Sequence, residues 1–155
     1  MKGNNQVIAR LNDRLSEEVT AINQYFVHAQ MCESWGYERL HEAVEKRALQ
    51  EMKHAEKLIA RILFLDGIPI VSKLNQINIG AEVAVQFDND LAAENTAMAA
   101  YNQDIPFVGE AGDNGTRELL ESILEEEEGH VDWLEAQLDQ IRQMGVENYL
   151  TEQIG

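Results

Sequence analysis

The chain has 155 residues, 45% of them apolar and 26% charged, and carries a formal net charge of −16. That length and balance suit one domain, residues 1–155, with a substantial core. The negative surface repels nucleic-acid phosphates and attracts small cations, no basic amphipathic helix or apolar window of about 18 residues offers a membrane anchor, and the lone cysteine, Cys32, excludes an internal disulfide and a zinc site built on two cysteines of one chain.

The opening MKGNNQVIARLNDRL lacks an apolar run of signal-peptide length, so a reducing cytoplasm is the expected compartment. From Asn5 to Trp35, Val7, Leu11, Leu15, Ile22, Tyr25 and Ala29 follow the spacing of one helical face. Gly36 supplies a left-handed stop. A second helix is expected over Glu38–Asp66, on Leu40, Val44, Ala48, Ala55, Leu58, Ile62 and Leu65, closed by Gly67 and Pro69. A third spans Ala81–Ala111, with Phe87, Leu91, Met98, Tyr101 and Ile105; Pro106 is expected to kink or shorten it. GDNG, residues 112–115, is turn chemistry. A fourth helix covers Thr116–Met144 and stops at Gly145, and VENYLTEQ allows a short fifth. Strand signals are nearly absent. Four helices of about 42–46 Å at 1.5 Å per residue describe an all-α bundle. Short connections at 35–37 and 112–115 pair antiparallel neighbours, and residues 67–80 make a long crossover between helices 2 and 3.

Polar residues reveal a repeat. Position i matches i+76: Glu18 falls on Glu94, Glu51 on Glu127 and His54 on His130. Leu15/Leu91, Tyr25/Tyr101, Leu58/Leu134 and Ile62/Leu138 follow the same offset. Each half is therefore a helical hairpin carrying one inward acid and one Glu-x-x-His, whose two side chains share a helix face. Stacked about a pseudo-twofold axis, the hairpins bring together four carboxylates and two imidazoles. Such carboxylates repel one another and lose hydration on burial. Two divalent cations match their charge, and an oxygen-plus-imidazole donor set suits iron, manganese or zinc. One Glu-x-x-His alone is a weak signal; two, each preceded 33 residues earlier by a partner acid within an apolar stripe, are a strong one.

Together AINQYF (21–26), EMKHAEK (51–57), RILFLDG (61–67), EEGHVDWLE (127–135) and ENYL (147–150) resemble the bacterioferritins, and the similarity covers essentially the whole chain. The resemblance implies a ferritin-like four-helix bundle. It also implies a ferroxidase that oxidises Fe(II) with O2 or peroxide at a di-iron centre. Glu18 and Glu94 would be terminal ligands, Glu51 and Glu127 bridging ones, with His54 and His130 each on one metal. It further implies a homo-oligomeric shell of 24 subunits built of twofold dimers, filled with ferric mineral.

Met52 follows Glu51, so it points about 100° around the helix. On sequence alone it is an interface gap-filler; the resemblance makes it the axial ligand of a haem b shared by two subunits, with Ile22, Asn23 and Phe26 either lining that pocket or packing the interface. A small ferredoxin is the implied electron donor for iron release. Tyr25 is either an electron or hydrogen-bond donor near the metals or a core tyrosine. Trp133 is packing or a one-electron donor, and Tyr101 is core. Cys32, His28 and His41 read as surface or interface residues, and of the run Glu125–Glu128 only Glu127 is expected to turn inward. Lys46 and Gln50 depart from the family residues that hold iron on the inner surface. A di-iron peroxidase without substantial mineral is the alternative enzyme, and a haem-binding or structural shell subunit the non-enzymatic one.

Overall fold

A computed structural model describes residues 1–155 and is entirely helical, in the order α1 Asn5–Ser34, α2 Glu38–Phe64, α3 Val83–Glu110, α4 Asn114–Met144 and α5 Val146–Thr151. The Asn4 side chain caps α1 by accepting from the Gln6 and Val7 amides, which satisfies donors that the first turn leaves free. No helix is long and apolar enough to cross a membrane.

The expected boundaries hold within a few residues, with three differences of physical origin. First, α2 stops at Phe64, and the left-handed residue is Asp66 (φ 60) rather than Gly67. The Gly67 amide then donates to Ile62 O at 2.8 Å, as in a Schellman ending. Glycine is needed there because a Cβ would lie 2.7 Å from the Ile8 side chain. Second, Pro106 does not shorten α3, which continues to Glu110; a proline forfeits only one intrahelical bond. Third, α4 begins at Asn114, because Asp113 caps it through the Thr116 amide at 3.0 Å. Arg61 of α2 grips Asp113 at 2.8 Å and Thr116 at 3.0 Å, tying the end of one hairpin to the start of the other's second helix.

The long connection, residues 65–82, lies along α1 on a ladder of polar side chains spaced four apart. Asn12 bonds Ile68 O and the Ile70 amide, Ser16 bonds Lys73 O, and Thr20 accepts from the Asn75 amide. Gln24 accepts from Asn78 and His28 from Gly80. The ladder satisfies backbone groups of a segment that has no helix or sheet of its own. His28 and Cys32 are not the surface or interface residues expected of them. His28 is fully buried, with Nδ1 2.9 Å from Asp90. Cys32 is buried with Leu40, Val83, Phe87, Leu134 and Tyr149, which seats α5 against the bundle. Half-buried His41 lies with Nδ1 2.9 Å from Ala29 O.

Besides a small cluster of Tyr25, Ala29, Val44 and Ala48 on α1 and α2, the core divides into an apolar block at one end, around Leu11, Leu15, Leu58, Ile62, Leu120 and Ile123, and another at the far end around Phe87 and Leu134. Between them sits a layer of buried polar residues that neither block explains.

Candidate metal centre

That layer is made by α1 to α4 together. Glu18 comes from α1, Glu51 and His54 from α2, Glu94 from α3, and Glu127 and His130 from α4. All six are at least 98% buried. They form two overlapping groups, Glu18–Glu51–His54–Glu127 and Glu51–Glu94–Glu127–His130, and within each group one ligand atom per residue lies within 4.8 Å of the others. Only Glu51 and Glu127 belong to both, the relation expected of carboxylates shared between two cations.

His54 Nδ1 lies 2.9 Å from Glu127, and 3.5 Å from both Glu18 and Glu51. On the other side, His130 Nδ1 lies 3.0 Å from Glu51, 3.5 Å from Glu127 and 3.6 Å from Glu94. The two rings stand 6.3 Å apart, inclined by 26°. One atom of each of the six residues, namely Glu18 Oε2, Glu51 Oε1, His54 Nδ1, Glu94 Oε2, Glu127 Oε1 and His130 Nδ1, is buried and makes no properly oriented hydrogen bond. Buried polar atoms are ordinarily satisfied. Six orphans facing one another, all of them metal-ligand atoms, fit a pair of cations.

Electrostatics of the metal-free chain say the same. Burial, reinforced by the charge of Glu127, raises the Glu94 carboxyl to about 8. For His54, burial alone would lower the pKa, but the carboxylates of Glu127 and Glu51 outweigh it and hold the imidazole at about 10. His130 reaches about 11 by the same balance, through Glu127, Glu51 and Glu94. Without metal, protons supply the positive charge that the carboxylates demand.

Two tyrosines support the centre. Tyr25 donates to Glu94 and Tyr101 donates to Glu18 at 2.6 Å. Each tyrosine thus serves an acid of the opposite hairpin, the one that belongs to a single group. Tyr101, read as core, is both core and hydrogen-bond donor. Trp133 flanks a small cavity with Tyr25 and His130 and packs edge-on to Phe87, its ring 5.6 Å from the Arg47 guanidinium. Glu126, which the sequence leaves on the solvated face, turns its carboxylate to within 2.5 Å of His54 Nε2 and accepts from Gln50 at 2.8 Å. Position 50 maps onto 126 at the repeat offset, the one signal that marked it. Lys46 is exposed.

A cavity of about 280 Å³ reaches the four carboxylates from the surface between α1 and α3, beside the crossover. Asn75, Gln76, Asn78 and Asn89 line its outer part and Glu17 stands further in. Burial, only partly offset by Arg14, raises Glu17 to about 7. Met52 lies outside this centre. It is 40% exposed on α2, and Phe26, 37% exposed, is on α1.

A family model described as a ferritin-like domain matches residues 8–144. The chain is 40% identical to a bacterioferritin of Brucella melitensis over 96% of its own length and 92% of that protein. It is 41% identical to one of Mycolicibacterium paratuberculosis, covering 96% and 94% of the two chains, and 39% identical to one of Rhodobacter capsulatus, covering 96% and 92%. With this likeness running through all four long helices, the chain belongs to the bacterioferritins, within the ferritin-like fold.

Proposed function

We propose that this protein stores iron, oxidising Fe(II) at the six-residue centre and holding the ferric product as mineral inside a homo-oligomeric shell of 24 subunits. The observation that carries this reading is the set of six mutually facing, unpartnered ligand atoms. Ferrous iron is the substrate. Two ions held side by side give up two electrons together, reducing O2 to hydrogen peroxide or peroxide to water and avoiding one-electron products. Glu51 and Glu127, common to both groups, would be shared between the ions, Glu18 and Glu94 would each serve one, and His54 and His130 would each offer Nδ1. Tyr25 and Tyr101 hold the terminal carboxylates in place. The acidic surface of the chain, at −16, favours the arrival of cations.

Met52 supports a second part of the reading. A large thioether exposed on one chain can reach a group at an interface between two. Paired with the same residue of a second subunit, it would hold a haem b, whose iron supplies a one-electron relay for reductive release. A small ferredoxin is the donor this scheme requires.

The test is a visible spectrum and oxygen uptake of the purified protein with added Fe(II). Wild type is expected to develop ferric absorbance and retain the iron in the shell. A Glu18→Ala variant is expected to lose the fast phase. An unchanged rate in that variant would refute the ferroxidase role, and fast oxidation with little retained iron would move the reading to a di-iron peroxidase.

A further inference from the structure

The two histidines of the centre have different partners behind them. On the side away from the carboxylates, His54 Nε2 meets the Glu126 carboxylate at 2.5 Å, while His130 Nε2 meets the Gln50 amide oxygen at 2.7 Å. The Gln50 amide nitrogen donates to the same Glu126 carboxylate at 2.8 Å, which fixes the amide with its oxygen toward His130. A four-membered bridge, His54–Glu126–Gln50–His130, therefore spans α2 and α4 beside the centre. Residues 50 and 126 are equivalent under the repeat. The chain has placed a charged acceptor at one of two matched positions and a neutral one at the other.

Both acceptors keep the proton on Nε2 and so present Nδ1 to a metal. They differ in strength. A carboxylate behind a ligating imidazole raises its basicity and tightens its hold on a cation more than an amide does. Resting on the two-metal reading above, we infer that Glu126 and Gln50 are positioning residues that make the two metal positions unequal: the Glu18–His54 position fills first and the Glu94–His130 position second.

More distant charges differ in the opposite sense. Arg14 and Asp90 are also equivalent under the repeat, the first on the Tyr101–Glu18 side and the second on the Tyr25–Glu94 side. Arg14 is offset by Glu17 at 3.1 Å and Asp104 at 3.5 Å, and Asp90 accepts from Gln24 at 2.7 Å and faces His28. Neither hydrogen-bonds to a metal-ligand side chain, whereas Glu126 touches the His54 ring. Direct contact governs the difference.

Exchanging the two residues tests this without disturbing Arg14 or Asp90. The assembled protein is titrated with Co2+ by calorimetry, and crystals given less than one Co2+ per chain locate the first ion by anomalous scattering. In wild type the first ion is expected at Glu18–His54, bound roughly 10–100-fold more tightly than the second. Glu126→Gln should shrink that ratio. The double exchange Gln50→Glu with Glu126→Gln should restore it and move the first ion to Glu94–His130, a reversal that a merely structural role would not produce. Equal affinities in wild type, or an unchanged order in the exchanged chain, would overturn the inference while leaving two-metal binding intact. A wild-type chain that binds no pair of Co2+ ions would remove the two-metal reading and the inference together.

Discussion

Tyr101 of α3 donates its hydroxyl proton to Glu18 of α1, 83 residues away in sequence, at 2.6 Å inside a fully buried layer. The bond crosses between hairpins, and its pseudo-symmetric counterpart joins Tyr25 to Glu94. The layer is thus held by mutual support: each hairpin supplies the hydroxyl that bonds an acid of the other. Burial and the neighbouring carboxylates push both phenols well above the usual tyrosine range, so they stay donors at all working pH values.

Replacing Tyr101 by phenylalanine keeps the packing and removes the donor. A buried acceptor left without its hydrogen bond costs about 1–3 kcal/mol, so Tyr101→Phe should lower stability by about that amount in urea denaturation. It should also weaken Co2+ binding. Unchanged stability and an unchanged titration would show that the hydroxyl holds nothing.

The metal-free protein should lose stability as pH rises. His54 and His130 are raised to about 10 and 11, and Glu94 to about 8. A group whose folded pKa exceeds its unfolded value stabilises the fold at low pH, and that contribution fades as pH climbs from the unfolded value through the folded one. For Glu94 the window runs from about 4.5 to 8, and for the histidines from about 6.5 to 10 or 11. With chelator present, the melting temperature should therefore fall between pH 6 and pH 9. Added Zn2+ should restore it and release protons from the imidazoles. A higher melting temperature at pH 9 in chelator would contradict the assigned charges.

Glu94→Gln should separate stability from function. The substitution removes one of four crowded carboxylates while keeping an acceptor for Tyr25. Melting in chelator is expected to stay level or rise, while binding of the second metal ion is lost. A destabilised variant that still binds two ions would mean that Glu94 serves the fold alone.

Met52→Leu conserves volume at an exposed site, where such exchanges cost little. On the proposed haem reading, haem absorbance present in the purified wild type should disappear in this variant, with the initial rate of Fe(II) oxidation unchanged. Haem bands persisting in this variant would place the axial ligand elsewhere.

His28→Ala should loosen the crossover. It removes one partner from the Asp90 carboxylate, which Gln24 still serves, and leaves the Gly80 amide unpaired in a buried setting, a loss of roughly 1–3 kcal/mol. Hydrogen exchange should rise in residues 75–80 before it rises in α2 or α4. Uniform protection across the chain would mean that the ladder is redundant.

Much of this molecule was written in its periodicity. Apolar spacing located four long helices, and Gly36, Gly67 and Gly145 marked their ends. The 76-residue offset between Glu18, Glu51, His54 and their counterparts picked out the six side chains that the fold buries together, because chemistry duplicated along a chain leaves a duplicated pattern. Resemblance implies roles for them that spacing alone does not assign. The polar stripe Asn12, Ser16, Thr20, Gln24 and His28 was equally regular, but a polar stripe ordinarily faces water. Only the crossover, which follows no helical or strand period, converted it into a buried ladder and drew His28 inside.

What the sequence determined by itself was the set of elements and the identity of the six side chains that cluster between them, since both follow from local period and from a repeat that can be counted. Tertiary structure alone decided which side chains meet across hairpins: Tyr101 with Glu18, Tyr25 with Glu94, Glu126 with His54 and Gln50 with His130. Those pairings depend on how four helices are rotated against one another, and that rotation is set by the packing of whole faces, which no short stretch of chain encodes.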